Sequence, residues 1–120
     1  MSAGIIQDLT LNGSLFTAIA GQEIQALLDN RPGEVTLRGR ADLTTGTFDA
    51  ATDQLFTTLP AGLRPPRETL VPCALIDTDG TTYEPGVLLI GTDGTINVQG
   101  AGGATNKTVS IDGVRFLVGY

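Results

Sequence analysis

Three Asp-Gly dipeptides punctuate the C-terminal half of the chain, at Asp79-Gly80, Asp93-Gly94 and Asp112-Gly113. Strand-like residues flank each one, and this is the strongest short-range signal for a β-hairpin. From Glu34 onward the sequence period is two: Val35, Leu37 and Gly39 alternate with Thr36, Arg38 and Arg40. Short segments follow at Thr44–Phe48, Asp53–Leu59, Thr69–Ile76, Thr81–Tyr83, Val87–Ile90, Thr95–Val98, Thr108–Ile111 and Val114–Val118. Threonine is abundant in them, and its branched Cβ packs well on a pleated surface. Seven to nine short antiparallel strands at regular spacing predict an all-β fold, an antiparallel β-barrel or a jelly-roll sandwich.

Residues 1–33 read differently. Ile5 to Leu11 suits a short strand or an extended arm. Asn12-Gly13-Ser14 forms a turn, with Ser14 placed to cap a helix. Apolar residues at Leu15, Phe16, Ile19, Ile24 and Leu27 then recur at three to four residues, which predicts a short helix ended by Asn30-Arg31-Pro32-Gly33. A helix of ~15 residues is marginal alone, so its apolar stripe needs a partner. The expected division is an N-terminal arm or short helix over 1–33, for docking or trimerisation, and a head over 34–120. On that division the head folds without the arm.

Composition removes whole classes of chemistry. The chain has 120 residues, net charge −6, no histidine, no tryptophan and one cysteine. A serine triad needs the missing histidine. A thiolate zinc cluster needs more than Cys73, which reads as a small apolar filler. An acidic chain with a single lysine, Lys107, is poorly suited to nucleic acid. No apolar run is long enough for membrane insertion, and the start, Met1-Ser2-Ala3-Gly4, lacks the basic region of a secretory signal.

Three motifs occur in order. Leu59-Pro60-Ala61-Gly62-Leu63-Arg64-Pro65-Pro66 follows Phe56-Thr57-Thr58, Ile90–Val98 contains Asp93-Gly94, and Val109–Phe116 contains Asp112-Gly113. Together they resemble the C-terminal head domain of bacteriophage tail fibres and baseplate receptor-binding proteins, over about residues 34–120. The resemblance implies a compact trimeric β-barrel or jelly-roll head on the virion surface. It would be made in the host cytoplasm without a signal peptide, and it would recognise host saccharides without catalysis. Its partners would be other copies and neighbouring baseplate, tail or major capsid proteins. Such heads usually sit on long stalks, and here only about 33 residues precede the barrel. The alternative is therefore a capsid decoration or cementing protein whose arm docks on coat subunits. A hydrolase built on a carboxylate pair is a third reading.

The candidate ligand-binding residues are Tyr83, Glu84, Asp77 and Asp79. Tyr83 beside a turn can stack on a sugar while its hydroxyl bonds; packing in the core or an interface is the plain alternative. Asp77-Thr78-Asp79-Gly80-Thr81 lacks the acids of an EF-type loop, with Leu75 and Gly86 at the critical positions. Turn chemistry accounts for it; a loose calcium site would draw on Asp77, Asp79 and Glu84. No metal or cofactor is expected. In the stiff Pro60–Pro66 crossover, Arg64 can pair with an acid or tie the loop to its own carbonyls. Arg115, between Val114 and Phe116, points away from the inner face. Arg38 and Arg40 share a strand face with Thr36 and read as solvated or as subunit contacts.

Overall fold

The structure is a computed structural model, and it describes residues 5–28, 33–48, 53–100 and 106–118. Residues 30–32 of the expected helix stop lie outside them.

The chain is all-β. In chain order the strands are β1 (Ile5–Asp8), β2 (Phe16–Ala18), β3 (Gln25–Leu28), β4 (Glu34–Arg38), β5 (Arg40–Leu43), β6 (Gln54–Thr58), β7 (Thr69–Asp77), β8 (Tyr83–Ile90), β9 (Thr95–Gln99), β10 (Asn106–Ser110) and β11 (Arg115–Leu117). One sheet has the order β1-β3-β4-β11 and the other β2-β5-β10-β7-β8-β9-β6, and every pairing is antiparallel. The seven-stranded sheet curls nearly into a barrel. Leu11 bridges to Thr57, and the Asn12 N–H donates to the Phe56 carbonyl at 2.9 Å, so the segment entering β2 reaches the far edge strand, β6. The Asn12 side chain adds a bond to the Leu55 carbonyl (2.9 Å) and accepts one from the Ser14 N–H.

The helix expected over residues 14–28 is absent. Leu15, Phe16, Ile19, Ile24 and Leu27 do not share a stripe. Phe16 lies in β2, Ile24 precedes β3 and Leu27 lies in it. Gly21 breaks the segment at φ 78°, inside a turn closed by the Gln22 N–H to the Ile19 carbonyl. A marginal helix competes with strand pairing, and pairing buries more. Phe16 is 2 % exposed and packs edge-on against Phe56 at 5.0 Å, with Phe48 at 6.1 Å. Ile24 and Ala26 are also core residues, whereas Leu15, Ile19 and Leu27 are half-buried. β3 pairs with β4 along its length, so the expected boundary at residue 33 falls between two hydrogen-bonded neighbours. The three N-terminal strands account for the count exceeding the expected seven to nine.

Two of the three Asp-Gly dipeptides close hairpins, β7–β8 and β8–β9. The third does not. Asp112-Gly113 carries the chain from β10 in the seven-stranded sheet to β11 in the four-stranded one. Gly39 does the same between β4 and β5, which separates Arg38 and Arg40 into different sheets. Its φ is 122°, and a Cβ there would lie 2.5 Å from the Glu23 carbonyl oxygen and 2.6 Å from Ile24 Cα. Only glycine lets these two chain segments cross. The Asp112 carboxylate ties both crossings together. It accepts the Gly39 N–H at 2.8 Å, Arg40 Nε at 3.2 Å and the Ser110 hydroxyl at 3.2 Å.

Candidate functional site

β10 pairs with β7 only as far as Ala74, then leaves for the other sheet. Its departure opens a groove of about 530 Å³ between the exposed edge of β7 and the 110–115 turn. Pro72, Ala74, Pro85 and Val114 give it an apolar lining, and Tyr83, Glu84, Ser110, Asp112 and Arg115 bring polar groups. Tyr83 is 63 % exposed on the outward face, opposite Ile76. Glu84 is held from beneath: its Oε1 accepts Asn106 Nδ2 at 2.9 Å. Asn106 is fully buried, and its Oδ1 has no partner.

Tyr83 and Glu84, the tyrosine and glutamate singled out from sequence, thus line one groove. Asp77 and Asp79 do not line it. Asp77 Oδ1 accepts the Thr78 N–H at 2.7 Å. Asp79 Oδ1 accepts the Thr81 and Thr82 N–H groups at 2.8 and 2.9 Å, and its Oδ2 takes the Thr82 hydroxyl at 2.8 Å. Those bonds, led by the Thr81 and Thr82 backbone, lower the Asp79 pKa to about 2. Both carboxylates are spent on the turn. Among the described residues, no group of three or more His, Cys, Asp or Glu is placed to hold a metal ion.

Asp112 is a groove residue that sequence reasoning placed in a hairpin. Burial works to raise its pKa; hydrogen bonds from Gly39, Arg40 and Ser110 outweigh that, and it titrates below the usual carboxylate range. Asp112 therefore stands in the groove lining as an ionised carboxylate, paired with Arg40, and Arg115 lines the same groove. Arg115 is exposed between buried Val114 and Phe116, as the alternation predicts. Asn106 and Ser110 had no signal in the sequence as parts of a site, because their importance follows from where β10 ends. Cys73 lines the groove half-buried, and burial pushes its thiol up to about 12, which leaves it protonated and unreactive at neutral pH.

The Pro60–Pro66 crossover lies elsewhere. Pro60 precedes one 3-10 turn, Ala61–Leu63, and Arg64 Nε donates to the Leu59 carbonyl at 3.0 Å. The loop is tied to its own backbone, one of the two roles expected for this arginine. Arg64 also helps lower the Asp93 pKa, after the hydrogen bonds from Thr95.

No family model matches the sequence, and no curated protein matches it significantly. A solved structure does match the fold: the receptor binding protein (gp15) of Listeria phage PSA, at 21 % identity and a TM-score of 0.68. The match covers 98 % of this chain and 68 % of that one, so it includes the N-terminal strands as well as the region that carried the sequence resemblance.

Proposed function

We propose that the chain is the head of a bacteriophage receptor-binding protein, a non-enzymatic virion-surface domain that attaches to the host cell as a homotrimer. The observation that carries this reading is the likeness to the gp15 fold over 98 % of the chain. The ligand is a saccharide of the cell surface, held in the groove by Tyr83 and Glu84. The groove's chemistry supports this: an exposed aromatic face for a sugar ring, an apolar floor, and Glu84, Asp112 and Arg115 for its hydroxyls. Asp77 and Asp79 shape the turn beside it.

The test is a calorimetric titration of the folded chain with purified surface polysaccharide from susceptible cells. Saturable binding, weakened at least about tenfold in Tyr83→Ala by loss of one stacking contact of about 1.4 kcal/mol or more, is expected. Equal affinity of the two proteins would rule out the groove.

A further inference from the structure

Four adjacent strands of the seven-stranded sheet hold only two charged residues, Asp77 at the end of β7 and Glu84 near the start of β8. β7 from Thr69 to Ile76, β8 from Pro85 to Ile90, β9 and β6 contain no Asp, Glu, Lys or Arg, in a chain with thirteen acidic and seven basic residues. They lie side by side in the order β7-β8-β9-β6. On their outward face Leu70 stands opposite Leu89, and Pro72 opposite Val87. The rows continue through Asn97 and Gln99 of β9, and from Asn97 to Leu55 of β6. Leu70 is 64 % exposed and Val87 36 %.

The same strands refuse an added strand. The Asp77 N–H donates to the Thr82 carbonyl at 2.9 Å, so the odd-numbered residues of β7 make the ladder bonds. Pro72 and Pro85 fall in the alternate pairs, and their ring nitrogens face away from the hairpin. Each sits just past the last paired residue of its other neighbour, Ala74 on the β10 side and Val87 on the β9 side. The two open edges of the hairpin are thus blunted. A partner packs on the face.

We infer that the uncharged outward face of β7, β8, β9 and β6 is where copies of this chain meet. In a chain of charge −6, copies approach with less repulsion over a surface without acids. A basic partner would choose the acidic surface instead, and a saccharide would find neither a carboxylate nor a guanidinium among Leu70, Val87, Leu89, Asn97 and Gln99. Four strands about 4.8 Å apart and about five residues long cover about 330 Å² even as a flat rectangle. That suits the charge-depleted centre of a contact of about 800 Å² per partner, with a polar rim. This assignment rests on the homo-oligomer in the functional reading and specifies its surface.

The test is sedimentation velocity on the full chain, with circular dichroism to confirm folding. The wild type is expected to sediment as an oligomer and Leu70→Glu/Val87→Glu as a folded single chain. Leu117→Glu, on the outward side of the other sheet, should remain oligomeric. Should the double variant fail to fold, Asn97→Lys/Gln99→Lys places charge on the same face through polar positions and gives the same readout. A folded charged variant that stays oligomeric overturns this face alone. A monomeric wild type overturns the oligomer as well, while saccharide binding by that monomer would leave the attachment reading standing.

Discussion

Asp112 shows how one side chain links the two sheets. Its carboxylate collects bonds from Gly39, Arg40 and Ser110 with the Arg40 contact partly in water, so Asp112→Ala should cost about 1–2 kcal/mol in denaturant unfolding once solvent screening is allowed for. Asp79, Asp93 and Asp112 all titrate below the ordinary carboxylate range in the folded chain. In the unfolded chain they bind protons more readily, so their stabilisation is complete above the unfolded value and is lost as pH falls through the folded one. For Asp79 that window runs from 3.8 down to about 2. The melting temperature should therefore fall with pH across this range, and less steeply in Asp79→Asn. An equal slope in the variant would contradict the turn bonds as its source.

Among the elements, the crossing at Gly39 tolerates least. Gly39→Ala places a Cβ against the Glu23 and Ile24 backbone, which cannot swing aside, and imposes a left-handed φ on alanine. Destabilisation of at least about 2 kcal/mol, read from the denaturation midpoint, is expected. From Glu34 onward most strands were legible in the sequence because their signals were local: alternation set the faces, and Asp79-Gly80 and Asp93-Gly94 set the hairpins; the segment Thr44–Phe48, expected among the strands, instead follows β5 as bends and irregular chain. The strands at Phe16–Ala18 and Gln25–Leu28 were not. Their apolar spacing fits a helix equally well, and only pairing with β4 and β5 decides between the two. Asp112-Gly113 was misread for a similar reason, since an Asp-Gly turn looks the same whether the next strand returns or crosses to another sheet. In the site, Tyr83 and Glu84 were legible as polar groups beside a turn; Arg115, Ser110 and Asp112 join them only because β10 ends early.

For the whole molecule, the N-terminal strands change what a truncation should do. Removing residues 1–33 takes three strands from the sheets, bares the edge of β4, and removes Phe16, Ile24 and Ala26 from the core. Loss of a buried phenylalanine alone costs about 3–5 kcal/mol, against a typical total stability of about 5–15 kcal/mol. The truncated chain should lack a cooperative thermal transition; a folded residue 34–120 fragment would mean that the N-terminal strands are dispensable after all. The likeness to the gp15 fold extends over the N-terminal strands as well as the rest of the chain. The most direct test of the proposed attachment role is binding of the labelled full chain to intact bacterial cells of the proposed host. Saturable binding, competed by the cells' own surface polysaccharide and reduced at least about tenfold in a folded Tyr83→Ala variant, is predicted. A folded chain that does not bind those cells, or a Tyr83→Ala variant that binds as well as the wild type, would contradict it.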